Sequence, residues 1–228
     1  MKPRVANIDS LNFSSSNLEM LVKNKDYRIE TVKSIGIFEP YRWKEEFKKP
    51  LARNIVEAKI LHTHKGLALP IKRFSSSQTK QTLEFAGLKG YNEKSKSLTE
   101  LLKELWNTIQ DEVITRIDIA IDFKGKVPSK VKTLLTKKRI PFRYLNTLYN
   151  KTVKEKKTNP NIDIKIYNKA LFANLDYELE RLEFCFKGSY LRGQYQVKDI
   201  EVLYTKMQKT IKRFTGLNIE ILPFKVSL

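Results

Sequence analysis

Between Arg116 and Phe123 hydrophobic and polar positions alternate without a break. Successive side chains of a strand point to opposite faces. Ile117, Ile119, Ile121 and Phe123 therefore form a core face, and Arg116, Asp118, Ala120 and Asp122 share the other. The same period places Asp163, Lys165, Tyr167 and Lys169 together on a second strand, and Arg181, Glu183 and Cys185 together on a third. Strands are expected over residues 28–39, 53–72, 81–85, 114–123, 142–149, 162–168, 178–187 and 218–225. Helical spacing appears in three places. Leu98, Leu101, Leu102, Leu105 and Ile109 predict a helix over 98–112, with Ser97 and Glu100 as a capping box. Pro128 opens a second over 129–137. Ile200, Leu203, Tyr204, Met207, Ile211 and Phe214 predict a third over 199–215, ended by Gly216. Residues 1–20 read as a polar N-terminal arm, and 150–160 as a basic loop. The expected class is α+β, a mainly antiparallel sheet with helices packed on one face, in one domain spanning 21–228.

Charge narrows the partner. The 228 residues carry 44 Lys and Arg against 25 Asp and Glu, a net charge of +19. An excess of that size points to a polyanion, either nucleic acid or an anionic membrane. No apolar run approaches the roughly 18 residues of a membrane span, and the N-terminus lacks a signal-peptide pattern. Nucleic acid is therefore the expected partner, without a membrane. The single Cys185 fits a reducing cytoplasm, and no Cys/His zinc spacing occurs. No Gly-x-x-x-x-Gly-Lys loop is present, so ATP is not an expected cofactor.

Two acids and an arginine on one strand face allow two readings. One is an exposed sheet face with a local salt bridge; the other is a metal or acid/base site. In the second reading Asp118, Asp122 and Glu183 hold Mg²⁺ or Mn²⁺. Arg116, Arg181, Lys165 and Lys169 offset charge on a phosphate, and a tyrosine attacks as a covalent nucleophile. His62 and His64 would face the same way on a strand. They are a candidate metal pair, with phosphate contact or plain surface residues as the alternatives. Lys151, Lys154, Lys156 and Lys157 are candidate DNA contacts.

The ordered set Thr115-Arg116-Ile117-Asp118-Ile119-Ala120-Ile121-Asp122, Asn146-Thr147-Leu148-Tyr149, Lys165-Ile166-Tyr167-Asn168-Lys169 and Glu180-Arg181-Leu182-Glu183 resembles the replication initiation factor family. That family includes rolling-circle plasmid and phage initiators and relaxases of conjugative elements. The resemblance covers about residues 80–190. It implies a Rep/relaxase-like nuclease domain that nicks DNA at a specific site. It further implies a metal-dependent reaction through a 5′-phosphotyrosine link, starting rolling-circle replication in a bacterial cytoplasm. Tyr149 matches the nucleophile and Tyr167 a supporting tyrosine, while Asp118 and Glu183 match acids near the metal. Asn150-Lys151 stands where the family usually has Gly-Ser, and Asn168 where it has Asp. A conjugative relaxase is the nearest alternative, and a basic DNA-binding replication or copy-control protein that does not cut is another. A host helicase and a homodimer are the further partners considered.

Overall fold

The computed structural model describes residues 4–18, 26–32, 34–36, 48–50, 55–74, 79–136, 139–144, 147–152, 161–191 and 195–223. The strands are β1 (Arg4–Ser15), β2 (Arg28–Val32), β3 (Ser34–Gly36), β4 (Lys48–Pro50), β5 (Glu57–His62), β6 (Ala68–Arg73) and β7 (Gln81–Ala86). They continue with β8 (Val113–Lys124), β9 (Arg139–Tyr144), β10 (Thr147–Thr152), β11 (Ile162–Asn168), β12 (Leu179–Lys187) and β13 (Ile219–Ile221). The helices are α1 (Glu93–Leu105), α2 (Ser129–Thr136), α3 (Lys169–Ala173) and α4 (Ile200–Thr215). One large sheet runs in the order β2-β5-β6-β7-β1-β8-β12-β11-β10-β9, and β13 pairs with β1. The β1–β13 pairing is parallel, while the neighbours along the rest of that order are antiparallel.

The α+β expectation is met. Ile117, Ile119, Ile121 and Phe123 of β8, Leu182, Phe184 and Phe186 of β12, and Ile162, Ile164 and Ile166 of β11 enter one core. Leu98, Leu101, Leu102 and Leu105 of α1 and Ile200, Leu203, Met207 and Ile211 of α4 enter the same core. The apolar stripe of each helix thus covers the apolar face of the sheet. The polar positions of β8, β11 and β12 are left on the opposite face. Asn92 caps α1, its side chain accepting from the Ser95 amide, so the helix begins earlier than the Ser97 capping box predicts. The expected strand at 142–149 is instead parts of the antiparallel pair β9–β10.

Residues 4–15 are not an arm. They form β1, a central strand lying between β7 and β8. The reason it escapes a period-two reading is a β-bulge. Its core residues are Ala6 and Ile8, then Leu11 and Phe13. The register to β8 shifts between Ile8 and Ser10, so the alternation changes phase at Asp9. The extra residue leaves the Asp9 carbonyl outside the ladder to β8. It accepts instead from the backbone amides of Gly87 and Leu88, both at 2.8 Å. Gly87 sits at φ 84°, a left-handed conformation that glycine adopts without a Cβ clash.

Candidate active site on the polar face of the sheet

The register of β12 organises the face. Arg181 lies opposite Asp122 of β8 and Tyr167 of β11; Glu183 lies opposite Ala120 and Lys165; Cys185 lies opposite Asp118 and Asp163. One strand further, the backbone of β10 pairs Tyr149 with Lys165. Tyr149, Lys165 and Glu183 thus occupy one row across three adjacent strands. The face is not an exposed one: Asp118 is 1% exposed, Arg181 0% and Glu183 4%.

Arg181 is the hub. Its Nε donates to Asp122 Oδ1 at 2.7 Å and its Nη2 to Asp122 Oδ2 at 2.9 Å. Nη2 also donates to the Lys89 carbonyl at 2.8 Å, and Nη1 to Asp9 Oδ1 at 2.8 Å. To reach Asp9 on β1 the guanidinium spans β8, which lies between β12 and β1 in the sheet. Tyr91 completes the cluster by donating to Asp122 Oδ2 at 2.6 Å. Burial opposes charge on Asp122, yet the Arg181 hydrogen bonds and charge hold its carboxyl below the ordinary value. The expected role of Arg181 as a phosphate-binding catalytic group is not the one this geometry supports. All three of its nitrogens donate within the protein, and the side chain is fully buried.

Beside it lies a second pair. Glu183 accepts from Lys165 Nζ at 2.6 Å and from the Tyr167 hydroxyl at 2.9 Å. Burial first, and then the Glu183 charge, push the Tyr167 phenol far up, which disfavours it as a nucleophile. A third pair joins Arg116 to Asp118 through both carboxylate oxygens. Burial opposes charge on Asp118, but the Arg116 hydrogen bonds and charge hold it low. Burial, and then the Asp118 charge, raise the Cys185 thiol, so it stays protonated. Lys169 is lowered by burial and by the neighbouring Arg181, with Asp9, Asp122 and Glu183 pulling the other way. A cleft of about 310 Å³ opens over this face, lined by Asp9, Arg116, Asp118, Lys165 and Glu183 together with Ala68 and Pro70 of β6.

The metal expectation meets a different arrangement. Asp118, Asp122 and Glu183 each carry a basic partner already, so a cation would have to displace Arg116, Arg181 or Lys165. Asp9, Asp118, Asp122 and Glu183 are balanced by Arg116, Lys165, Lys169 and Arg181. Among the described residues no group of three or more His, Cys, Asp or Glu is placed to hold an ion. As arranged, these residues do not fit Mg²⁺ or Mn²⁺.

The histidines do not join them. β5 ends at His62, whose Nε2 lies 3.0 Å from Glu30 of β2. His64 falls in the turn after it, stacked on Tyr27 at 5.7 Å and 3.7 Å from Glu104 of α1. The shared-face expectation fails because the strand, and its alternation, stops between them. β5 is also five places from β12 in the sheet order, roughly 24 Å at ordinary strand spacing. Lys151 is part of β10, its backbone opposite Ile140. Lys154, Lys156 and Lys157 lie outside the described residues.

Asp9 and Tyr91 are the members that sequence reasoning missed. Asp9 is 7% exposed, and burial pushes its carboxyl up from 3.8 to about 6, with Arg181 opposing and Glu183 adding to the rise. The folded chain therefore keeps this proton over a range, roughly pH 4 to 6, where an unfolded one has lost it. The resulting stability is fully present below about pH 4 and is lost as pH rises through about 6. Asp9→Asn should lack that decline. Urea unfolding of both chains between pH 4 and 7.5 checks it, and curves that run parallel would rule it out.

No family model matches the chain, and no curated protein matches it. Among the described residues no helix is long and apolar enough to cross a membrane. Among solved structures the chain is similar to the rolling circle replication initiator protein from Geobacillus stearothermophilus. The TM-score is 0.50 at 14% identity, over 92% of this chain and 84% of that one. That likeness is one of fold: the chain shares the sheet-and-helix architecture of that initiator.

Proposed function

We propose that this chain initiates rolling-circle replication by nicking DNA and holding the cut strand through a tyrosine. The observation that carries the reading is the row of Tyr149, Lys165 and Glu183 on adjacent strands. It rests beside a fold similar to that of a rolling circle initiator. The Tyr149 oxygen attacks the scissile phosphorus, giving up its proton. The bond from phosphorus to the 3′-oxygen breaks, and that oxygen takes a proton. The 5′-phosphate stays on the tyrosine, which preserves the energy of the phosphodiester for rejoining. Lys165 and Arg116, both partly exposed at the cleft, are the cations available to offset phosphate charge. Arg181 acts as a positioning residue, holding β1, β8 and β12 in register beneath the cleft. A conjugative relaxase would run the same chemistry.

A DNA binder that does not cut is the second reading, and one observation favours it. Unpaired acids on this face would repel phosphate, but here the acids are neutralised by bases of the same chain. The deciding experiment incubates the protein with supercoiled and single-stranded origin DNA, with Mg²⁺, with Mn²⁺ and with chelator. Mass spectrometry then searches for an oligonucleotide joined to a tyrosine. An adduct on Tyr149 supports nicking. Tight, salt-sensitive binding with no adduct in any condition supports the non-cutting binder.

A further inference from the structure

Next to the polar face the chain exposes two large apolar side chains in succession. Leu171 is 62% exposed and Phe172 63%. Single exposed hydrophobics are ordinary, but an adjacent pair on a capped helix that packs against the polar face marks a contact surface. The pair sits on α3, and that short helix is fixed from several sides. Asn168 caps it, accepting from the Leu171 amide at 3.0 Å. Its own Ala170 is buried, and the Ala170 carbonyl accepts from the Leu175 amide at 3.0 Å. Asn174 closes the helix in the left-handed conformation. The Phe172 ring stands at 87° to that of Tyr167, with centroids 5.5 Å apart. Tyr167 in turn donates to Glu183, the carboxylate paired with Lys165. The exposed ring is therefore one residue removed from the row that carries the proposed chemistry.

We infer that Leu171 and Phe172 form a stacking platform for an unpaired base of the DNA strand entering the cleft. Charge selects this occupant. A chain with a net charge of +19 attracts a polyanion and repels a second copy of itself. Proteins that hold single strands combine a basic track with exposed aromatic rings, because every base has a π-face to stack. Duplex DNA keeps its bases stacked on one another and cannot use the platform. The inference rests on DNA as the partner, but not on whether the strand is cut.

The test measures binding by fluorescence anisotropy, at one salt concentration, to three probes. These are a 12-nucleotide oligo(dT), an abasic oligomer of equal length and charge, and a duplex. Phe172→Ala should weaken oligo(dT) binding by about tenfold and leave the abasic oligomer and the duplex unchanged. Phe172→Trp should restore oligo(dT) binding, and its added fluorescence, relative to the parent chain, should be quenched by oligo(dT) and not by the abasic probe. Thermal unfolding of both variants checks that they fold. An equal loss on all three probes, no loss on oligo(dT), or no base-dependent quench with a folded Phe172→Trp chain overturns the platform. A Phe172-dependent dimer at assay concentrations also overturns it, since another copy would then cover the ring. Base-dependent quenching without a covalent adduct upholds the platform and counts only against nicking.

Discussion

Replacing Tyr149 by Phe is expected to abolish the covalent protein–DNA adduct while leaving DNA binding almost unchanged. Phe keeps the ring and its β-propensity, so β10 retains its pairing with β9 and β11. What it lacks is the oxygen that the proposed reaction joins to phosphorus. Loss of a covalent nucleophile costs roughly 10⁴-fold or more in rate. Gel quantification of nicked DNA, with mass spectrometry of the protein, reads the effect. Full nicking by the variant would remove Tyr149 from the mechanism and with it the row argument. Tyr167 is a poor substitute, because its hydroxyl is committed to Glu183 and its phenol is pushed up by burial.

Arg181→Met should produce the largest loss of stability of any single change on the polar face. Methionine fills part of the volume but leaves the Asp9 and Asp122 carboxylates in a buried site without their shared cation. Removing one member of a buried ionic network costs about 3–5 kcal/mol. For a chain of this length that lowers the melting temperature by on the order of 10 °C. Adding Asp9→Asn and Asp122→Asn to Arg181→Met should recover much of the loss, since no buried charge then stands alone. Calorimetry of the single and triple variants decides the matter. A single variant within about 1 kcal/mol of the parent would mean the network is not what holds β1 to β12.

The sequence was most legible where a strand kept its period. β8, β11 and β12 alternate cleanly, and the split of Arg181, Glu183 and Cys185 from Leu182, Phe184 and Phe186 follows from spacing alone. α4 was equally plain, its apolar stripe running from Ile200 to Ile211. Legibility failed wherever the period was interrupted. The bulge at Asp9 made a central strand look like an arm, and hid an acid of the cluster with it. The turn after His62 made two unrelated histidines look like a pair. α1 was found by its leucines but not by its start, since its first turn, Glu93 to Lys96, is polar. Electrostatic pairing was a further loss. Spacing shows that acids and bases share a face, but not that each acid takes a base as its partner. Apart from Arg116 with Asp118, two residues apart on β8, that pairing joins strands through residues 18 to 172 apart, such as Lys165 with Glu183 and Asp9 with Arg181.

The place of β1 in the sheet has a consequence for synthesis. β1 is made before its antiparallel partners and finds them only when residues 81–86 and 113–124 have followed. From Ser15 to Lys124 that takes roughly 5–20 s at ordinary translation rates. Until residue 86 has been made Leu11 and Phe13 sit on a segment with neither edge paired, and until residue 124 with one edge still open, a stretch of nascent chain that invites chaperones or misassociation. Asp9 meets Arg181 later still. The cleft therefore takes its shape only after β12 has been made, and a shorter nascent chain would carry excess positive charge without it.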